Sequence, residues 1–399
     1  MDHFGVGMVG YGMIGRVHCL GYRDLPILYP GQLPEVNLAA VCTRHAQTAQ
    51  AAVDEAGFLS WYTSIDELLE DKAVTLIDCV APNDAHHSVI TQAVLAGKPV
   101  YCDKPLALNA AQAADLVQIA TKAGVQVGMT FNYRFVPALL RAREILQAGE
   151  LGEIYTFRAD YLHSGYQSPA RPMSWRLRQE QAGGGALMDL GAHVIDLVRH
   201  LLGEFEAVHC TTRTFIQRRP ASPGAAELEE VHVDDAAWIQ ARLASGAQGS
   251  LHVSRFSTGS QDDLSLEIYG SSGGLRFHLM DPNWLYWYDA RRPQGPTGGE
   301  RGWTQVETVQ RYPGASGLPH RSPLGWGRTH AENQYAFLRA LHLGQPCSPN
   351  ILDGYINHLV IEAAYASART GLWERVPNGI ARLDPSSAAG LHHDGFPIH

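Results

Sequence analysis

The sequence predicts a doubly wound α/β domain joined to an α+β domain with a large open, mainly antiparallel sheet. Three observations carry this. An apolar run, Val6-Gly7-Met8-Val9, meets Gly10-Tyr11-Gly12-Met13-Ile14-Gly15 and then a helical stretch from Arg16 to Arg23. Strand-like and helix-like segments then alternate as far as Met129, the pattern of a parallel sheet wrapped by helices. Beyond Glu150 closely spaced strand patterns take over, several divided by turn clusters such as Ser245-Gly246 and Gly270-Ser271-Ser272-Gly273-Gly274. A chain of 399 residues exceeds one ordinary core. The expected division is 1–130, 131–377 and an irregular tail, 378–399.

Taken in order, Leu38–Cys42 reads as the second strand and Ala46–Ala56 as a helix. Thr75–Val80 is a strand, and Ala85–Ala96 is a helix stopped by Gly97. Pro99–Cys102 is a strand, Ala110–Ala123 a helix ending at Gly124, and Val125–Met129 the next strand. Ligands of such sheets sit at the carboxyl ends of the strands. That gathers Gly10 to Gly15, Thr43-Arg44, Ala81-Pro82-Asn83, Asp103-Lys104-Pro105 and Asn132-Tyr133-Arg134 around one crevice.

The glycine turn has a specific physical logic. Gly10 permits a tight turn, Gly12 lets backbone approach a pyrophosphate, and Gly15 lets the helix pack on the strand. The helix N-terminus adds unpaired N–H groups and partial positive charge for phosphates. The pattern predicts an α/β Rossmann domain, expected to take NAD or NADP. An acid usually meets a free ribose 2′-hydroxyl at the end of the second strand. Thr43-Arg44 stand there instead, which suits a 2′-phosphate, or stacking of Arg44 on adenine with little discrimination. The choice between NAD and NADP stays open.

In the second part Ile154–His163, Val208–Gln217, Ala236–Ala244, Ala247–Phe256, Leu264–Tyr269 and Leu275–Met280 read as strands. A helix carrying Asp189 and His193 is expected on one face of their sheet. Trp284, Tyr286, Trp287 and Tyr288 read either as core or as a sheet-to-sheet contact between subunits. Arg218–Glu230 and Arg291–Arg328 are loop-rich, the latter with a short strand near Gln305–Arg311, and either is placed to cover an active site. Helices near His330–Leu343 and Asp353–Thr370 are expected to pack back near the first domain.

Bulk properties exclude several classes. The net charge of −9 disfavours a nucleic-acid partner. No apolar stretch is long enough for a bilayer, so no membrane partner is expected. The start of the chain lacks the basic region and apolar core of a signal peptide. The six cysteines form no Cys-x-x-Cys pair and read as reduced, packed thiols, which points to the cytoplasm. No metal site is proposed: His392-His393 lack a compact set of further ligands.

The motifs Gly10-Tyr11-Gly12-Met13-Ile14-Gly15, Ala81-Pro82-Asn83 with His86, Asp103-Lys104-Pro105, and Gly183-Gly184-Gly185 followed by Asp189 and His193 occur in one order. In this the chain resembles the glucose-fructose oxidoreductase / inositol dehydrogenase / rhizopine-catabolism (Gfo/Idh/MocA) family. Asp103 departs from the family's usual Glu before the lysine, so its contact with a ribose hydroxyl rests on a shorter carboxylate. Phe131-Asn132-Tyr133-Arg134, Ser174-Trp175-Arg176 and Asp189–Gly203 followed by Arg219-Pro220 are similar to the family's levoglucosan and sugar or glycoside 3-dehydrogenases. The resemblance implies oxidation of a ring hydroxyl of a sugar-like molecule to a ketone, or the reverse. It also implies a homodimer or homotetramer through the second domain's sheet. Cofactor contacts are expected from Gly10, Gly12, Met13, Ile14, Gly15, Thr43, Arg44, Ala81, Pro82, Asn83, His86, Asp103, Lys104 and Asn132.

Alcohol oxidation needs a base for the hydroxyl proton and a donor for the developing alkoxide, both beside the hydride acceptor. Lys104 directly follows a strand, which sets its ammonium at the sheet's carboxyl edge. Asp189 and His193 are four residues apart, which on a helix puts both on one face. His193 is therefore expected to be the base and Lys104 the polarising group, roles that a shared proton network allows to be exchanged. Asp189 is expected to orient the substrate or His193. Asp196 and His200 on roughly the same face read as structural or as supports behind the site residues. Tyr133, Arg134, His163, Trp175 and Arg176, with Lys104, Asp189 and His193, are the expected substrate shell. The alternatives are a non-catalytic dinucleotide-binding sensor and a redox-assisted glycoside-cleaving enzyme on the same scaffold.

Overall fold

The computed structural model describes residues 3–319 and 322–379, so the expected tail lies outside the described residues from Ile380 onward, His392-His393 included. The first domain holds β1 (His3–Val9), α1 (Met13–Leu28), β2 (Glu35–Cys42), α2 (Ala46–Ala56), β3 (Ser60–Tyr62), α3 (Ile65–Glu70), β4 (Leu76–Cys79), α4 (Asn83–Leu95), β5 (Val100–Cys102), α5 (Ala110–Ala123) and β6 (Val127–Met129). Its six strands run parallel in the order β3-β2-β1-β4-β5-β6. Both faces are covered, which is why β1 and β4 are buried along almost their whole length rather than alternating. Side-chain caps start two of the helices: Ser64 accepts from Asp66 N, and Asn109 from Gln112 N. β3 and α3 were not expected; three and six residues are too short to show a period.

The second domain holds α6 (Pro137–Gln147), β7 (Ile154–Leu162), α7 (Gln179–Ala182), α8 (Ala186–Asp189), α9 (Gly191–Leu202), β8 (Phe205–Arg213), β9 (Arg218–Pro220), β10 (Leu228–Glu230), β11 (Ala236–Leu243), β12 (Gln248–Ser254), β13 (Asp263–Gly270), β14 (Gly273–His278), β15 (Trp284–Asp289), β16 (Trp303–Glu307), α10 (Trp326–Leu343), α11 (Ile351–Thr370) and β17 (Glu374–Arg375). Nine strands form one open sheet, β16-β15-β14-β13-β7-β12-β11-β8-β17, antiparallel except for β7 beside β12. The aromatic run at Trp284–Tyr288 is a strand of this sheet, β15. Arg218–Glu230 leaves the sheet as a separate hairpin, β9–β10. Buried Arg219 of that hairpin donates to the carbonyls of Ser168 and Tyr166 at 2.8 and 2.6 Å. It thereby braces the 163–178 segment.

The last two helices return to the first domain and lock the two together. α10 lies on α1: Tyr29 and Tyr335 stack at 3.5 Å, and Gln334 Nε2 donates to His18 O at 3.1 Å. α11 packs on α5, where Glu362 accepts from Ala110 N at 2.7 Å. α11 opens on a capping box of Asn350 and Asp353. The Asp353 carboxylate also pairs with Arg134 at 3.2 Å and Arg199 at 2.6 Å, all buried. Burial pushes the Asp353 carboxyl up, but the two guanidiniums outweigh this and hold it far below the usual range. No helix among the described residues is long and apolar enough to cross a membrane.

Replacing Asp353 by Ala takes one carboxylate partner from each of two buried guanidiniums and removes the return bond of the capping box. The expected loss of stability is about 3–5 kcal/mol, read from the urea midpoint at unchanged slope.

Candidate active site

A cavity of about 750 Å³ runs along the carboxyl edge of the parallel sheet and under the second domain. Its floor begins at the glycine turn. Gly10 has φ +96°, and a Cβ there would come within 2.7 Å of Val80 O, so no larger residue fits the turn. At Gly12 a Cβ would meet nothing within 4 Å, because the space over the turn is open. Gly12 caps α1 without a side-chain bond, leaving the first-turn N–H groups of Met13 and Ile14 available at the cavity. Open space, orphan donors and a helix N-terminus together fit a dinucleotide pyrophosphate. Gly15 lies behind, where a Cβ would come within 3.3 Å of Gly10 O.

The other strand ends line the same cavity. Thr43 and Arg44 stand at the end of β2; Thr43 Oγ1 donates to His45 O at 2.9 Å, and the largely exposed Arg44 lies 3.9 Å from Asp84. Ala81, Pro82 and Asn83 follow β4, and Asn83 Nδ2 donates to Ala182 O across the crevice at 2.9 Å. Asp103 Oδ1 accepts from Lys104 N at 2.9 Å. Asn132 Nδ2 donates to Thr329 Oγ1 at 2.9 Å, which ties α10 to the end of β6. His86 is placed differently from the expectation. It is buried beneath the cavity, its ring nitrogens 2.9 Å from Pro105 O and Ala81 O, and it ties two loops of the cavity wall together. It forms a compact trio with Cys79 and Cys102.

Lys104 and Asp189 meet across the domain boundary. Lys104 Nζ donates to Asp189 Oδ1 at 2.7 Å and to Asp189 O at 3.0 Å. The second carboxylate oxygen accepts from Arg255 Nη2 at 2.8 Å. Burial raises the Asp189 carboxyl, but Lys104, Arg255 and Arg176 outweigh it and hold it well below the usual range. Asp189 is thus an anion clamped between two cations. The expected side-by-side pairing of Asp189 with His193 does not form. α8 ends at Asp189 and α9 begins at Gly191, and both carboxylate oxygens are already engaged. His193 lines the same cavity with its ring edge-on to Tyr133 at 4.8 Å and Tyr161 at 5.8 Å. Burial and the Lys104 charge hold its imidazole well below the usual histidine range, with Asp189 opposing, so it is neutral.

Gly185 explains how Asp189 reaches this point. A Cβ there would lie 1.8 Å from Asp234 O, so the backbone of the glycine run sits directly against its neighbour. Asp234 then takes the N–H groups of Gly185 and Leu187 at 2.9 and 2.8 Å, capping the turn that aims Asp189 inward.

Above Lys104 the cavity is lined by Tyr133, His163, Trp175 and Arg176. Arg176 lies over the Trp175 ring at 4.3 Å. Tyr133 and Tyr161 share a hydrogen bond of 2.6 Å, and Tyr161 donates to Asp262 at 2.6 Å, with His163 3.3 Å from that carboxylate. Arg134, expected in the substrate shell, is instead turned away and buried, with its Nε 2.8 Å from Asp196. A charged residue beside the sheet's edge looked like a ligand group; its partners come from α9 and α11. Asp196 is structural, as expected.

Sequence reasoning missed Tyr161, Tyr166, Arg171, Arg255, Asp262, Trp326 and His330, all of which line the cavity. Arg255 had one usable signal: it directly follows β12, which runs parallel to β7, so both strands end at the same place as His163. His330 had none, being one polar residue in a mixed helix. A second cavity of about 870 Å³ lies behind the Gly183–Met188 wall, but it contains neither the glycine turn nor Lys104.

Comparison with known proteins agrees with this geometry. Residues 4–131 match the family model of the oxidoreductase family with NAD-binding Rossmann fold, and residues 139–276 match the GFO/IDH/MocA C-terminal domain. Levoglucosan dehydrogenase of Pseudarthrobacter phenanthrenivorans is 30% identical over 94% of this chain and 99% of its own. A solved structure of levoglucosan dehydrogenase with NADH and levoglucosan superposes with a TM-score of 0.88 at 30% identity, covering 94% of this chain and 100% of the other. An oxidoreductase domain protein from Kribbella flavida, 32% identical, superposes with a TM-score of 0.88 over 95% of this chain and 100% of its own. With its glycine turn, its lysine at the edge of the parallel sheet and both halves matched in order, the chain belongs to the Gfo/Idh/MocA family of NAD(P)-dependent oxidoreductases.

Proposed function

We propose that this enzyme oxidises a ring hydroxyl of a sugar, anhydrosugar, glycoside or inositol-like polyol to a ketone, or runs the reverse reaction, using NAD or NADP. The observation that carries the proposal is that Lys104 and His193 both line the cavity that begins at the glycine turn. The relatedness to levoglucosan dehydrogenase along nearly the whole chain supports it.

The nicotinamide, when bound, takes the hydride. Gly10, Gly12, Met13 and Ile14 hold the pyrophosphate, with Gly15 setting the helix behind them. Thr43 and Arg44 meet the adenosine ribose, where the absence of a carboxylate leaves room for either cofactor. Ala81, Pro82, Asn83, Asp103, Lys104 and Asn132 surround the nicotinamide half, and His86 supports their loops. Lys104 donates to the reacting oxygen and stabilises the alkoxide as it forms. Asp189 keeps that ammonium aimed, while Arg255 keeps Asp189 in place. His193, neutral at rest, takes the hydroxyl proton. Tyr133, His163, Trp175 and Arg176 hold the sugar ring, with planar polar groups for hydroxyls and aromatic faces for C–H edges. The outward face of the second domain's sheet carries Trp238 and Tyr155, exposed by 42% and 53%, and pairs subunits into a homodimer or homotetramer.

Three measurements test this. Lys104→Met lowers kcat for the oxidised sugar by about 10²- to 10⁴-fold while NADH affinity, followed by fluorescence titration, changes little. An equal loss of both would reassign Lys104 to cofactor binding alone. Because the His193 imidazole is held below the usual histidine value, its base form persists to lower pH than that of a free histidine. The acid limb of kcat/KM for sugar oxidation therefore falls below about pH 6.5 and disappears in His193→Ala along with most of the rate. A wild-type limb above that value contradicts the neutral-base assignment. Finally, Trp238→Glu yields a smaller species in sedimentation velocity; an unchanged oligomer places the interface elsewhere.

A further inference from the structure

We infer that His330 binds the cofactor, recognising the carboxamide of the nicotinamide. The inference rests on the dehydrogenase reading above and deepens it. His330 lies near the start of α10, lines the cavity, and is only 2% exposed. Neither of its ring nitrogens has a hydrogen-bond partner. A buried imidazole has a donor and an acceptor to satisfy, and native structures rarely leave both without a partner. Its ring neighbours cannot serve both. Trp326 stands edge-on at 4.7 Å, and His18 lies 5.4 Å away with its Nδ1 engaged at 2.9 Å by Asp78, which leaves only the unpartnered Nε2 of His18 to face one of the two nitrogens. The missing partner belongs to the ligand.

The position selects which part of the ligand. The Asn132–Thr329 hydrogen bond pins the residue before His330 to the end of β6. In the sheet order β2-β1-β4-β5-β6, that is the side of Lys104 and opposite to Thr43-Arg44. The adenine half is therefore excluded. The substrate side of Lys104 is lined by Tyr161, His163 and Arg255 at the ends of β7 and β12. His330 instead packs on His18 of α1, within the first domain's layers, where the nicotinamide must lie for a sugar carbon to face it.

The chemistry then matches. Burial, with His18 and Lys104 nearby, holds the His330 imidazole well below the usual histidine range, so it is neutral. A neutral imidazole presents one N–H and one lone pair. These point out of different edges of the ring, so a carboxamide meets one of them: its N–H donates to the imidazole lone pair. Such a contact fixes the rotation of the nicotinamide ring, and with it the face offered to the sugar.

The test needs no sugar. NADH and ADP-ribose, which lacks the nicotinamide, are titrated into wild type, His330→Ala and His330→Gln. His330→Ala is expected to weaken NADH by about tenfold and leave ADP-ribose unchanged, since one satisfied hydrogen bond is lost. His330→Gln, which keeps a donor and an acceptor, recovers most of the NADH affinity. The wild-type enzyme also binds the reduced 3-acetylpyridine analogue, whose acetyl group has no N–H, more weakly than NADH. Equal weakening of NADH and ADP-ribose in His330→Ala, an unchanged NADH affinity, or equal wild-type affinity for NADH and the analogue overturns the inference. A wild type that binds NADH with this pattern yet oxidises no sugar refutes the proposed function and leaves the His330 assignment standing. A wild type that binds no dinucleotide refutes both.

Discussion

The ion pair between Lys104 and Asp189 is the constraint around which this enzyme is arranged. It joins residues 85 apart in sequence and closes the gap between a parallel and an antiparallel sheet. A partly buried ammonium and carboxylate are costly to hold apart and favourable together only if the remaining donors and acceptors are also met. Here both carboxylate oxygens are met, the second by Arg255, and the ammonium also donates to the backbone carbonyl of Asp189, while Nε and Nη1 of Arg255 have no partner. The row of Lys104, Asp189 and Arg255 carries one net positive charge. In the proposed reaction such a row favours the alkoxide forming on a substrate, and the neutral His193 lining the same cavity is the proposed acceptor of the proton.

Much of the rest of the fold serves to bring those groups to one point. The glycine run at 183–185 gives up side chains so that the backbone fits against Asp234 and α8 starts at the right place. The Arg134–Asp196–Asp353–Arg199 cluster ties α9 to α11, and α11 is itself packed on α5 of the first domain. α10 does the same on α1. Two helices from the end of the chain thus hold the first domain against the second. A shift between the domains moves Lys104 relative to Asp189, and this couples stability of the interface to alignment of the site.

What was legible in the sequence had local causes. The glycine turn needs backbone freedom at Gly10 and open space at Gly12, and both requirements leave a mark in neighbouring residues. The strand and helix alternation of the first domain follows from covering both faces of a parallel sheet, and nearly every boundary there fell within a few residues. Lys104 was readable because a strand end fixes where the next residue points. What was not legible depends on distant pairings. Arg134 has its partners at residues 196 and 353, so its local surroundings gave no hint of burial. Asp189 and His193 are one helical turn apart, yet the break at Leu190 and the arrival of Arg255 from β12 decided their contacts. Tyr161, Asp262 and His330 reach the cavity only because of the register of the large sheet and the seat of α10 against α1, which no local period specifies, although the return of that helix to the first domain was expected.

The central claim is spatial: Lys104 and His193 act on the same oxygen of a sugar ring laid against the nicotinamide. A crystal structure of the enzyme soaked with NADH and a panel of monosaccharides and anhydrosugars tests it most directly. The account predicts one hydroxyl oxygen within hydrogen-bond reach of both Lys104 Nζ and His193, with its carbon about 3–3.5 Å from C4 of the nicotinamide. A sugar bound with its hydroxyls on Tyr161 or Arg255 and its carbon facing away from the nicotinamide, in every member of the panel, contradicts it.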